Sequence, residues 1–414
     1  MAKYIALLLS VLLLFTMMPL VSVAQSQTAV SSPLTPKEQL VNEHGQVVFT
    51  DYLVETAVRA LLGVPEDPLT PKQLAGMGAS GATLQIAAAY HVTVDLSVLQ
   101  LCTKLKSLQL EMVTPADPRA ISALSNLQSL MIWETELSDF AFLTSCKKLT
   151  NIYIGGTECR NITFAAELPK LSNISIGNYV PDLSPLYACR KLAAVTISAA
   201  TDAEVNALLD AIGNQLTDLG LNGCAITDAT LTRIAWLRLQ GLMLDSAHVS
   251  SLAPVWNSKT LRQLELTNMH IDTLEGIQNM QSLRGISFGG IKGLTDYSPL
   301  FQSAKLQSLR LMQVEAPNLQ GIQNLKKLNQ LTLEYIVGAV NLAPVFAMPK
   351  LKSLILNGVS VSTLSGIESM KSLTELSLYK VSGITDYTPL CGLAKLHALY
   401  TDVARVLPEG LPLK

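Results

Sequence analysis

Leu306-Gln307-Ser308-Leu309-Arg310-Leu311, Leu328-Asn329-Gln330-Leu331-Thr332-Leu333 and Leu351-Lys352-Ser353-Leu354-Ile355-Leu356 are three copies of one phrase. Written L-x-x-L-x-L, with Ile, Val or Phe admitted, it starts at 105, 127, 149, 171, 192, 216, 239, 261, 283, 306, 328, 351, 373 and 396. Only the last copy breaks the pattern, ending in Thr401, and a degenerate earlier copy, Leu84-Gln85-Ile86, precedes the set. A fixed short period held over most of a chain marks a stacked repeat array. In L-x-L the two apolar residues point one way and the middle residue the other. One rung cannot bury its apolar side alone, whereas stacked rungs bury it continuously. The phrase therefore predicts an α/β solenoid of about 15 rungs with a parallel sheet on its concave face, running roughly 70 Å at ~4.8 Å per strand.

The returning half of the rung has its own code. Asp-x-Ser/Thr-Pro-Leu appears at Asp182–Leu186, Asp296–Leu300 and Asp386–Leu390. Proline suits the first position of a short helix, where its missing N–H is not needed. Rungs this short leave room for little more than a 3₁₀ turn, so mostly 3₁₀ turns are expected on the convex face. Late in the chain a 45-residue double repeat (261–305, 306–350, 351–395) alternates a Gly-Ile rung with a Pro rung. Near 200–236 the code changes. Thr201-Asp202-Ala203-Glu204 is a capping box, and Val205, Leu208, Leu209 and Ile212 follow at helical spacing. The next rung, Leu219 to Asp228, has the look of the cysteine-containing class of repeat, so both rungs are expected to carry true helices.

Ahead of the array, Leu53, Val54, Ala57, Val58, Leu61 and Leu62 form one apolar helical face stopped by Gly63. Thr70-Pro71-Lys72-Gln73 opens a second helix. Together they predict an N-terminal helical cap over 47–80, with repeats over 81–401, a linker over 25–46 and a C-terminal tail over 402–414. An F-x-D-x-x-L helix, then L-T-P-x-x-L, then 22-residue rungs carrying D-x-S-P-L, resembles the bacterial internalin-type leucine-rich-repeat family over about residues 47–401. The resemblance implies a horseshoe with partner binding on the concave sheet. Three departures stand out. The family's Asn after L-x-L-x-x is replaced by Val113, Thr135, Thr157, Tyr179, Cys224, Ala247, Met269, Ile291, Val314, Ile336, Val359 and Val381. No immunoglobulin-like module follows the repeats, and no L-P-x-T-G sorting motif is present.

Residues 1–24 read as a signal peptide: Lys3, an uncharged run from Tyr4 to Val23, Pro19, and Ser22-Val23-Ala24 before Gln25. The rival reading is an uncleaved membrane tether, since the apolar run is about 20 residues, enough to span. The expected address is secreted or cell-surface associated. No later run is long and apolar enough for a transmembrane segment. An exported chain with six cysteines invites disulfides, but Cys102, Cys146 and Cys189 share a column two rungs apart. That is roughly 10 Å at ~4.8 Å per rung, against the ~7 Å that a disulfide tolerates. Buried free thiols are expected instead.

Reactive clusters are missing from the sequence. His44, His91, His248, His270 and His397 form no H-E-x-x-H, and no C-x-x-C or P-loop occurs. Gly285-Ile286-Ser287-Phe288-Gly289 fits G-x-S-x-G, but Ile286 and Phe288 are the L-x-L pair of a rung, so Ser287 faces the sheet surface. Asn161-Ile162-Thr163 and Asn173-Ile174-Ser175 fit the glycosylation pattern, though Asn173 falls in a strand and the bacterial look of the chain argues against occupancy. No enzyme, metal or cofactor is expected. The formal net charge of -2, with Arg310 the one basic residue inside the L-x-L phrases, argues against nucleic acid. The expected function is extracellular binding of a protein or glycan; the alternative is a structural envelope component. Exposed aromatic residues on a rigid face make binding anchors. Met131, Trp133, Tyr153 and Tyr179 on early rungs, and Tyr335, Tyr379 and Tyr400 on late ones, are the candidate contact residues.

Overall fold

The computed structural model describes residues 34–315, 317–402 and 407–411; the signal-peptide reading lies outside them. Fifteen parallel strands form one open sheet in strict sequence order. The degenerate first rung is the first strand, Thr83–Val94, with Leu84 opposite Leu108 and Ile86 opposite Leu110. The last is Ala398–Thr401. From Leu84 to Leu378 both residues of each L-x-L pair are buried in one continuous core, and Leu399 on the last strand packs against it partly buried.

Among the described residues, ten 3₁₀ segments and a few single α turns make up most of the returning halves. The D-x-S/T-P-L code works as a cap. Asp182, Asp296 and Asp386 each accept the backbone N–H two residues on, at 2.9, 2.8 and 2.9 Å. Hydrogen bonds from Ser184, Ser298 and Thr388 hold these carboxyls below their ordinary value. True helices stand where expected, at Asp202–Ile212, opened by the capping box on Thr201 and Glu204, and at Asp228–Trp236.

The missing asparagine ladder is replaced by backbone. The residue two places beyond the L-x-L phrase is left-handed at twelve rungs from Met112 to Lys380. Four of these are glycine, and the other eight are all the positive-φ non-glycine residues among those described. This conformation turns the N–H toward the next rung: Ala199 donates to the Asn222 carbonyl at 2.8 Å, Asn268 to Gly289 at 2.8 Å and Tyr335 to Asn357 at 2.7 Å. The following side chain then points inward, so Val113, Val314 and Val359 are fully buried. On early rungs threonine does some of the work, with the Thr135 N–H donating to Thr157 Oγ1 at 3.0 Å. Apolar residues replace Asn here because turn groups find partners on the adjacent backbone.

Helices Tyr52–Leu62 and Pro71–Gly76 stand ahead of the first strand. Asp51 accepts the N–H groups of Leu53 and Val54, and Thr70 with Gln73 completes a capping box. Val54, Val58 and Leu74 are buried in the same core as Leu84. The segment ahead of the cap carries local structure. Lys37–Leu40 is a 3₁₀ turn, Val41 bridges Val47, and Leu40 is 1% exposed within the core. A buried leucine anchors this segment to the core.

All six cysteines are free, and only Cys391 is exposed. Burial pushes the thiols of Cys102 and Cys159 up to about 12, and those of Cys146 and Cys189 to about 11. A thiol reagent should therefore modify one cysteine, Cys391, in the native chain and six after denaturation. Fewer than six after denaturation without reductant reveals a disulfide and breaks the rung assignment.

Candidate partner-binding face

Alternate residues of each strand face outward, and the register, shifted only after Ala87 and after Ser175, stacks them into columns along the concave face. One column runs Gln109, Met131, Tyr153, Ser175, Thr196. The next contains Glu111, Trp133, Gly155. Gly155 opposite Trp133 carries no side chain, which leaves the indole free to lean across to Tyr153. The two rings stack at 6.1 Å between centroids and 28° between planes. Both are half-buried, with Met131 beside Tyr153. Burial pushes the Tyr153 hydroxyl well above its ordinary value.

The other candidate residues disperse. The pairing of Asn173–Tyr179 with Ala194–Ser198 slips after Ser175. Tyr179 is carried toward helix Asp202–Ile212, where its hydroxyl donates to Glu204 at 2.9 Å. The bulge pairs it with Ser198, two rungs beyond the Trp133–Tyr153 stack. Tyr335 occupies a left-handed turn position, and its ring lies where a Cβ on Gly358 would stand, 2.7 Å from Cδ1. Tyr379 is exposed under the Lys380 ammonium at 5.5 Å, and Tyr400 is exposed on the last strand. Among the described residues no ring contact joins these three late tyrosines.

A second feature of the face is a charged centre. Glu265, Ser287 and Arg310 are in register on three successive strands. All five residues of strand Gly285–Gly289 are buried. Its two outward glycines leave hollows filled by neighbours: a Cβ on Gly285 would meet Gln263 Oε1 at 2.0 Å, and one on Gly289 would meet Met312 Cε at 3.1 Å. Crowding desolvates Glu265, and burial raises its carboxyl to about 7, with Arg310 opposing the rise and Asp245 reinforcing it. Arg310 donates through Nη2 to Glu334, while its Nε, buried, has no protein partner. The side-chain oxygens of Asn222 and Asn357, on the same face, are buried and unpartnered too. Buried polar atoms without a partner are uncommon and call for one. Charged residues inside L-x-L on nearby rungs, Glu265 and Arg310, were the signal in the sequence. Their rung order placed them on either side of Ser287, but the burial of Glu265 was not readable there.

Glu265 yields a pH prediction. Its folded value of about 7 lies above the ordinary glutamate value of 4.5. Between the two, the folded chain holds a proton that the unfolded chain has released. Stability thus falls as pH rises from about 4.5 to about 7 and stays lower above it. Glu265→Gln should stabilise the chain at pH 8 by about 1–3 kcal/mol and change little at pH 4. Equal melting shifts at both pH values would show that Glu265 is not desolvated.

Ser287 sits in a strand between two strands, and the chain continues into a left-handed turn at Gly290 instead of a helix. The strand–turn–helix geometry of a nucleophile elbow is absent there. Among the described residues no three His, Cys, Asp or Glu groups could hold a metal ion, and no helix is long and apolar enough to cross a membrane.

Repeat phrase, sheet and convex turns together define a leucine-rich-repeat solenoid. Similar solved structures include an internalin (inlF) from Listeria monocytogenes, at 22% identity over 86% of this chain and 96% of that one, with a TM-score of 0.44. A leucine-rich-repeat protein of Leptospira interrogans is 18% identical over 73% of this chain and 80% of its own, with a TM-score of 0.46. The functional domain of InlJ from Listeria monocytogenes is 16% identical over 84% and 79%, with a TM-score of 0.41. No family model and no curated protein matches the chain.

Proposed function

We propose that the chain is an extracellular binding module that takes a protein or glycan partner on its concave face. In this reading residues 1–24 direct export, 47–80 cap the array and 81–401 carry the partner surface. The stacked Trp133–Tyr153 pair on the open sheet is the observation that carries the proposal. Rigid, half-exposed aromatic rings bring large contact area at little entropic cost. The unpartnered Arg310 Nε and the Asn222 and Asn357 oxygens add polar sites that a partner would satisfy. A resident catalytic centre has no support in the geometry around Ser287. The test is a pull-down with residues 25–414 followed by titration of the captured partner. Saturation at a defined stoichiometry supports the proposal. Retention on the cell fraction without any saturable partner overturns it in favour of a structural envelope component.

A further inference from the structure

The near-neutral total charge conceals a segregation that appears once the rungs are stacked. Each rung enters its strand through a short loop, and these loops bond to one another in an unbroken backbone ladder. The Gln128 N–H donates to the Lys106 carbonyl, Thr150 to Gln128, Ser172 to Thr150, and so on to His397 and Thr374. Residues flanking the leading Leu of the phrase therefore form one continuous flank of the solenoid. At the positions two before, one before and one after that Leu, across fourteen rungs, eighteen residues are Lys or Arg and none is Asp or Glu. They are more than half of the 30 basic residues of the chain. All but Lys106 and Arg284 are exposed. Among the described residues only Lys147 makes an ion pair, with Glu167 at 3.2 Å.

The opposite flank, where strands end, carries acids instead, among them the capping Asp182, Asp296 and Asp386. Solubility does not require this arrangement, since interspersed signs serve it as well. Like charges on neighbouring rungs repel, so the ridge is a self-repelling array that an anionic ligand would relieve.

Its dimensions select the ligand. Thirteen rung steps of ~4.8 Å make a strip about 60 Å long, and three residues make it roughly 10 Å wide. Such a strip fits one extended polymer chain. No aromatic residue occupies these positions for bases to stack on. The uncharged positions are nearly all Ser, Thr, Asn, Gln, Ala or Pro, so the strip lacks the apolar face by which interfacial segments enter a bilayer. Fourteen of the eighteen are lysine, a flexible point charge that does not demand the fixed geometry of an arginine fork. We propose that the strand-entry flank binds a linear polysaccharide bearing sulfate or phosphate groups. This site is separate from the concave face and does not depend on what binds there.

The test uses the full chain with heparin as the probe, beside single-stranded DNA of matched charge and vesicles of phosphatidylcholine with phosphatidylserine. Saturable heparin binding is expected, weakening more than ~10-fold between about 50 and about 200 mM salt as counterions compete. The variant Lys326→Gln/Lys327→Gln/Lys350→Gln/Lys352→Gln clears two adjacent rungs of charge. It should weaken heparin binding at least ~10-fold and flatten the salt dependence, with an unchanged thermal melt. Arg160→Gln/Lys292→Gln, outside the ridge, should leave binding as it was. No heparin binding at low salt, or equal weakening by both variants, overturns the proposal. DNA or vesicles binding as tightly as heparin, and equally sensitive to the fourfold variant, overturns the assignment to a polysaccharide.

Discussion

Phe288→Ala should lower the unfolding free energy by about 3–5 kcal/mol, the range for emptying a buried aromatic site. Phe288 is fully buried at the second inward position of its strand, between Leu266 and Leu311 on the neighbouring strands. Its ring meets Tyr297 edge-on at 5.9 Å and 78°. Tyr297 is itself fully buried, with a hydroxyl that finds no protein partner. Truncation leaves a cavity that two rungs share. In a solenoid each rung contacts only its neighbours, so remote packing cannot absorb the loss, and the halves before and after this rung should lose cooperativity. Urea unfolding followed by circular dichroism measures both effects. Ser287→Ala, one residue away on the opposite face, should stay within about 1 kcal/mol of the parent. If the two substitutions cost the same, the inward and outward assignment of the rung is wrong.

Trp133→Ala and Tyr153→Ala should each weaken partner binding by about 30-fold or more, the loss associated with a hot-spot aromatic. Neither should cost much stability, because both rings face outward from the core and are half-exposed. Since the rings stack on one another, the double variant should lose less than the sum of the single losses, and a double-mutant cycle measures that coupling. Tyr335→Ala is the contrasting substitution. Its ring packs at a turn beside Gly358, and its removal should change affinity by no more than a few-fold. Unchanged affinity in both early-rung variants would remove the aromatic pair from the site.

The candidate site was only partly legible in the chain. Trp133 and Tyr153 could be placed on the same face because each position relative to its L-x-L phrase is fixed. Tyr179 lies three residues past its phrase, at the position where the family carries Asn, and a slip in pairing after Ser175 carried it to Glu204. The lysines of the entry flank were all visible in the sequence. Their meaning emerged only when the loops were seen to stack on one another through the ladder from Lys106 to His397.

By itself, the sequence determined the number and phase of the rungs, the face on which each residue of an L-x-L phrase stands, the caps of the convex turns and the two helices near 200–236. These follow from short-range rules, since alternation, capping and helical spacing act within a few residues of backbone. Tertiary structure alone decided the left-handed column that stands in for an asparagine ladder, the Trp133–Tyr153 stack, the desolvation of Glu265 between Asp245 and Arg310, and the tie of Leu40 to the core. Each joins residues from different rungs or from outside the array. Such contacts depend on register and on the space that neighbouring side chains leave, and no period within a single rung specifies either.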